Sequence, residues 1–333
     1  MTPPYTVTRA TRASRIGGGA FALVFVALAT FPLWADRGSM RDFDEFACYF
    51  LFALMWNLLA GYGGMVSIGQ QAFFGIGGYA LLAMGNLLHL NPFLAVPLAA
   101  LVALLIALPV SFVAFRLQGG YFAIGTWVIA EVFRLTLANV SAVGGGSGTS
   151  LTALRGIPRA TRESATFFLC LGGAAVSLAL VYGFLRSREG LSLLALRDDE
   201  MAAESQGVDV RRTKLAVYLF AAGGAGLAGA LYFLGNLRIS PDAAFSVNWT
   251  AFSIFIVLIG GVGTLEGTLV GSALFYLLTK LFSDYGTWYL VGLGMLAVVV
   301  TIKLPRGLWG TVSDRLDLHL FPVQRRLQLP GKD

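Results

Sequence analysis

Chemistry-bearing side chains are scarce in this sequence. Two cysteines, Cys48 and Cys170, and two histidines, His89 and His319, are all that 333 residues contain. Both cysteines sit inside apolar runs and read as small buried residues, with no disulfide and no metal role. The histidines lie far apart in sequence, which argues against a histidine-based metal site. Charged residues make up only 13 % of the chain, against ~25 % in an ordinary soluble domain. That shortage excludes a water-soluble globule, which would leave large apolar patches exposed. It equally excludes a disordered chain. No H-E-x-x-H, C-x-x-C or G-x-S-x-G string occurs, and Gly144-Gly-Gly-Ser-Gly-Thr-Ser150 lacks the G-K-[ST] of a phosphate-binding loop. Nothing supports catalysis, no cofactor is called for, and any ATP must be hydrolysed by another chain.

What the chain does contain is apolar length. Hydrophobic residues are 56 % of it, and glycine occupies 41 positions. A helix crosses a ~30 Å hydrocarbon core in about 20 residues. The stretches that approach this length are 17–35, 43–60, 65–88, 92–115, 119–140, 166–185, 214–235, 249–262, 267–282 and 287–304. The short pair 249–262 and 267–282 flanks Gly260-Gly-Val-Gly-Thr-Leu-Glu-Gly267 and can form a re-entrant hairpin instead. The expected fold is an all-α, polytopic transmembrane helical bundle with 8–10 spans, some broken at glycine.

Charge placement orients the spans. There are 24 basic and 18 acidic residues, a net +6. This excess suits cytoplasmic flanks and calls for no nucleic acid. The tail 1–16 carries Arg9, Arg12 and Arg15 and no acid, whereas the connection 36–45 holds four acids and two arginines. Arg116 and the Arg-rich tail 305–333 mark further inner ends. Both termini are therefore expected in the cytoplasm, with the membrane domain at 17–304. Against this, the loop 141–165 is placed outside yet holds Arg155, Arg159 and Arg162. The first stretch reads as a retained span, because it is longer than a signal-peptide core and no A-x-A-like site ends it.

The segment 61–80 is the most unusual, with seven glycines between positions 61 and 78 and with Ser67, Gln70, Gln71 and Tyr79 among them. Helical backbone at membrane depth breaks only where protein or water re-satisfies its polar groups. A broken, carboxamide-bearing span suits a solute path, while the plainer reading is close helix packing through small residues. Glu131 and Arg134 lie three apart on one helix face and can pair, as path lining or as a structural ion pair. Asn57 fits an interhelical hydrogen bond or the path. A faint repeat relates 57–82 to 260–278, each a Gly-rich turn between spans.

The charged segment 187–213 is expected in the cytoplasm. Within it, Leu196, Arg197, Asp198, Asp199, Glu200, Ala202, Ala203, Glu204 and Gly207 join an apolar turn, a charged turn, paired alanines and a glycine that can end a helix. A short docking helix fits this pattern, against the usual reading of a charge run as a solvated loop.

These segments resemble the permease subunits of branched-chain amino acid ABC importers, of the LivM type. The resemblance runs from about Asp44 to Gly310. It rests on Asn57-Leu-Leu-Ala-Gly61 through Ser67-Ile-Gly-Gln-Gln-Ala-Phe-Phe-Gly-Ile-Gly-Gly-Tyr79, then Arg116-Leu-Gln-Gly-Gly-Tyr-Phe-Ala123, Glu131-Val-Phe-Arg134, Arg197–Gly207, Gly260–Gly271 and Leu304-Pro-Arg-Gly-Leu308. The chain departs from the family at Gln70-Gln71, where His-Ala is common, and at Met201, which separates Glu200 from Ala202. The resemblance implies half of a translocation path in the bacterial inner membrane, surrounded by membrane lipid. Asn57, Ser67, Gln70, Gln71, Tyr79, Tyr121, Glu131 and Arg134 would line the path, and Leu196–Gly207 would take the ATPase stroke. The implied partners are a second homologous permease, two cytoplasmic ATPase subunits and a periplasmic substrate-binding protein. The competing reading is an ion-coupled secondary transporter using Glu131; a membrane-embedded enzyme is a poor third.

Overall fold

The structure, a computed structural model, describes residues 6–8, 12–282, 286, 288–316, 320–322 and 326–328. Arg9, Thr287 and His319 lie outside the described residues, as do parts of both tails. A strand β1 (Thr6–Thr8) precedes α1 (Arg12–Ala29) and α2 (Arg37–Trp56), the latter continuing as a π-helical turn over Asn57–Tyr62. Asp36 caps α2; the Ser39 hydroxyl and the Gly38 N–H hold its carboxylate below the usual range. Next come α3 (Gln71–Asn86), α4 (Pro92–Ala114) and α5 (Gly120–Ala138). A strand β2 (Thr149–Ser150) leads to α6 (Arg159–Arg186), α7 (Arg188–Asp198), α8 (Glu200–Ser205) and α9 (Val210–Asn236). After β3 (Arg238–Ile239) follow α10 (Pro241–Ala244), α11 (Asn248–Gly260), α12 (Leu265–Phe282), α13 (Trp288–Lys303), α14 (Gly307–Leu316) and β4 (Arg326–Gln328).

Among the described residues, eight helices are long and apolar enough to cross a membrane: Arg37–Tyr62, α4, α5, α6, α9, Pro241–Gly260, α12 and Trp288–Ser313. The chain is thus an all-α, multi-pass bundle. The pair at 249–282, weighed above as a re-entrant hairpin, forms two helices that each reach spanning length. Helix α6 starts at Arg159, seven residues before the apolar stretch, because Glu163 is held by Arg159 at 2.8 Å and Arg41 at 3.5 Å. These pairs also occupy part of the arginine surplus noted in that loop.

Helix α9 is the axle of the bundle. Its buried face is built of Ala221, Ala222, Gly223, Ala225, Gly226, Ala228, Gly229 and Ala230. Small residues let helix backbones approach closely where lipid offers no hydrophobic drive between helices. A methyl group at Gly77 would overlap the Gly226 carbonyl, and one at Gly229 would overlap the Phe74 carbonyl. Trp249 closes the core beside these crossings, 4.1 Å from Phe74 and 4.6 Å from Tyr232 between ring centres.

Two small pairings tie the chain ends and loops. Strands β2 and β3 pair antiparallel, and Asn86 closes α3 onto that loop by accepting from Thr152 and Ala153 N–H and donating to the Ser150 carbonyl. Strands β1 and β4 also pair antiparallel, Thr6 opposite Gln328 and Thr8 opposite Arg326. Phe321 packs on Phe21 and Tyr182 and donates its N–H to Glu266.

Gly229→Val should destabilise the bundle by about 3 kcal/mol or block folding, since overpacking a helix crossing costs ~1–3 kcal/mol even with relaxation. Gly172→Ala, where a methyl group meets nothing within 4 Å, should leave the melting temperature unchanged or slightly raised. Thermal unfolding of the two purified variants in detergent separates them; equal melting temperatures would contradict this account of α9.

Candidate functional site

Helical winding stops at Tyr62 and resumes at Gln71. Between them the chain turns back and climbs beside α9. The Gln70 amide reaches the Ala221 carbonyl at 3.4 Å, about 16 Å along α9 from its first residue at 1.5 Å per residue. A backbone this deep needs partners, because an unsatisfied peptide group in hydrocarbon costs several kcal/mol. The local chain supplies some of them. Met65 N–H donates to the Leu59 carbonyl, Gly64 N–H to Ala60, and Gly69 N–H to the Ser67 hydroxyl. The Trp56 indole donates to the Ser67 carbonyl at 2.9 Å. The segment alternates like a strand: Met65, Ser67 and Gly69 are buried, while Gly64 and Val66 are exposed.

Distant residues brace the turn just before this segment. Asn57, fully buried, donates to the Thr264 carbonyl at 2.9 Å and the Thr268 hydroxyl at 2.8 Å, and accepts from Gly263 N–H at 2.9 Å. The Gly-rich turns of the faint repeat therefore face each other. Gly263 has φ +71°, and a side chain at Gly61 would overlap both the Asn57 amide and Gly263. The turn before α14 joins them, with Gly307 backed onto Gly261. Arg197 of α7 donates to the Gly61 carbonyl at 3.3 Å, while Asp198 holds its guanidinium from the other side at 3.1 Å.

The connection from α6 to α9 is two helices rather than the single docking helix expected. Asp199 adopts an extended conformation between them and caps α8 by accepting the Ala202 N–H at 2.9 Å. At its other end Gly207, at φ +84°, accommodates the paired bonds Gly207 N–H to Glu204 and Val208 N–H to Ala203. This Schellman closure favours glycine. Leu193, Leu196 and Ala203 are buried against the bundle, and Met201 stands 78 % exposed on α8. Glu200 is held by Lys214 at 2.7 Å.

The family described as branched-chain amino acid transport system / permease component matches residues 44–302, most of the chain. The chain belongs to this family of ABC-transporter permeases. It is 29 % identical to the high-affinity branched-chain amino acid transport system permease protein LivM of Salmonella typhimurium and 28 % identical to that of Escherichia coli, covering 89 % of this chain and 76 % of each relative. A probable branched-chain amino acid transport permease LivM of Methanocaldococcus jannaschii is 24 % identical over 79 % of this chain and 90 % of the relative. No solved structure matches. As a permease component the chain is a transport subunit, and ATP hydrolysis belongs to separate subunits.

The permease divides the eight residues suggested for its path into two groups. Asn57, Ser67, Gln70, Gln71 and Tyr79 are buried within its own bundle. Gln71 accepts from the Thr250 hydroxyl at 2.5 Å, and the Tyr79 ring stacks on Phe245. Gln70 Oε1, Gln71 Nε2 and the Tyr79 hydroxyl have no hydrogen-bond partner among the described residues. Tyr121, Glu131 and Arg134 instead sit on α5, the first two on its more open side. Tyr121 is 77 % exposed. Arg134 joins Glu131 by a forked contact at 2.5–2.9 Å and also meets Asp242 of α10 at 2.5 Å.

Several participants were not legible in the sequence. Asp242 had no signal, since its partner is 108 residues away. Thr264 and Thr268 were visible only as part of a glycine motif. Leu193 was seen as apolar but not as the residue that meets Gly63. A cavity of about 910 Å³ opens between the end of α4 and the α8–α9 turn, lined by Phe112, Arg116, Glu204, Arg211 and Arg212 among others. It adjoins α8 and is not lined by the eight suggested path residues.

Asn57→Ala leaves a buried donor and acceptor unpaired at the junction, at ~1–3 kcal/mol each. The purified variant should melt well below the parent, and parental stability would show the amide to be dispensable. A double-mutant cycle on Arg134 and Asp242 should give a coupling of about 0.2–1 kcal/mol, because the carboxylate is solvent-exposed. Strictly additive losses would show that the contact contributes nothing.

Proposed function

We propose that this permease forms half of the translocation path of a bacterial inner-membrane importer for branched-chain amino acids or a related small polar solute. A second homologous permease completes the path. Two cytoplasmic ATPases drive it from the face that carries α7, α8 and both termini, and a periplasmic binding protein delivers solute near Gly144–Gly148. The observation that carries this reading is α8: a short helix, capped at both ends, that lifts an exposed methionine away from the bundle between Glu200 and Glu204. A rigidly mounted apolar knob with charged flanks fits a groove on a partner, and a solvated loop needs neither cap.

The path itself runs between the two permeases, along the open side of α5 and the exposed edge of the interrupted span. Tyr121, Ile124, Trp127, Val128, Gly64 and Val66 are the exposed residues there. Asn57, Ser67, Gln70, Gln71 and Tyr79 shape that edge from behind. The unpaired amide atoms of Gln70 and Gln71 serve a second arrangement of the helices during alternating access.

The test is capture of partners. The tagged chain, purified from native membranes in mild detergent, should carry two ATPase subunits and a second permease by mass spectrometry. Met201→Glu should reach the membrane normally and lose at least about tenfold of the ATPase, the loss expected for a contact of ~1.4 kcal/mol or more. Undiminished capture by that variant would remove α8 as the docking element. A preparation of this chain alone that moves leucine into liposomes without ATP would replace the importer reading with an ion-coupled carrier.

A further inference from the structure

We propose that Arg197 is a positioning residue that transmits movement of α7 to the interrupted span, rather than part of the surface that grips the ATPase. This rests on the reading of α7–α8 as the ATPase-coupling segment. On α7, Leu193 and Arg197 lie one helical turn apart on the side that meets the break, Leu193 buried and Arg197 39 % exposed in its side chain. Leu193 is fully buried, and its methyl group would lie 3.1 Å from a side chain placed on Gly63. The methylene stem of Arg197 lies along Gly64, its Cγ 3.3 Å from where a methyl group there would stand. One element thus presses on two successive residues of the break.

The guanidinium then reaches past them. The carbonyl of Gly61 belongs to the last turn of its helix, where carbonyls lack intrahelical partners. The N–H that would normally return to it is diverted: Met65 N–H bonds Leu59, two residues before Gly61. Gly61 is buried and Gly263 covers it, so solvent is a poor substitute. Arg197 Nη1 provides the donor at 3.3 Å, and a cation suits the negative end of a helix. Asp198 fixes the fork through Nε at 3.2 Å and Nη2 at 3.1 Å. The end of α2 is therefore capped by a side chain mounted on the coupling segment. Displacing α7 withdraws the cap and frees the break to rearrange. Met201 stands free on α8 and serves docking; Arg197, although partly exposed, is engaged with Gly61 and Asp198 and does not.

The test separates docking from transmission. Val66, half exposed on the break, is replaced by cysteine in the complex purified with its partners. The native cysteines, Cys48 and Cys170, are buried and leave little background labelling in this chain. Maleimide labelling at position 66 is followed by peptide mass spectrometry, without nucleotide and after trapping with ATP and vanadate. The parent should change its labelling rate about fivefold or more between the two states, the shift one net hydrogen bond of ~1 kcal/mol supports. Arg197→Ala should capture the ATPases and trap nucleotide as the parent does, yet change its labelling rate less than about twofold. If that variant does not reach the membrane, Arg197→Lys is read in the same way. Loss of ATPase capture by the Arg197 variant would make it a docking residue and overturn the proposal, leaving the importer reading intact. A parental nucleotide response in the variant would also overturn it. Absence of ATPases from the parent preparation would overturn both.

Discussion

Eight residues of non-helical chain sit inside a bundle made for an apolar surrounding, and everything near them is arranged to satisfy their peptide groups. Water hydrates such groups in a soluble loop. Here each must find a partner in protein, at a penalty of several kcal/mol if it fails. Trp56 and Ser67 are such partners inside the break, and Asn57 and Arg197 do the same for the turns beside it, at Gly263, Thr264 and Gly61. The glycines at 61, 263 and 307 follow from the same need. They let three backbone turns lie against one another, so that a single asparagine in the first can brace the second.

Around this joint the bundle is unevenly built. Helices α2, α3 and α9 are packed through alanine and glycine on one side and aromatic rings on the other, at distances that leave no room for an added methyl group. Helix α5 and the α12–α13 region expose large apolar side chains. In lipid or against another subunit such faces are ordinary; in water they would aggregate. A stiff axle beside an open face is a sensible construction for a subunit that must keep its own shape while a boundary with a neighbour opens and closes.

The shortage of reactive side chains gains meaning in this frame. A transport component needs no nucleophile and no metal, but it needs a way to receive work. Chemical energy from another subunit can enter only as displacement. Under the proposed function the α6–α9 connection is where displacement would act, because its two capped helices are joined at one extended residue, Asp199. The Glu131–Arg134–Asp242 set plays a different part: it clips α5 to α10. Half-exposed pairs of this kind contribute little to stability and instead hold one geometry.

How much of this was legible depended on range. Composition alone established a multi-pass membrane protein, and hydrophobic runs located the spans, because burial in lipid is a property of each segment by itself. Local capping was readable at Gly207, which ends α8 as its place after the alanines implies; the break at Asp199, which divides the expected helix in two, was not. The fate of the polar side chains was not readable. Asn57 bonds a residue 211 positions away, and nothing near it distinguishes a brace from a path-lining amide. Arg197 sits in a charge run whose pattern suggests solvent and ion pairs alone, yet, while still partly exposed, it reaches Gly61, 136 positions earlier, which offers a bare carbonyl. The sequence by itself determined the class, the spans and the family motifs, since these depend on local hydropathy and order. Only the tertiary structure decided which motif residues meet, because a hydrogen bond is won by whichever donor the packing of distant helices brings within 3 Å.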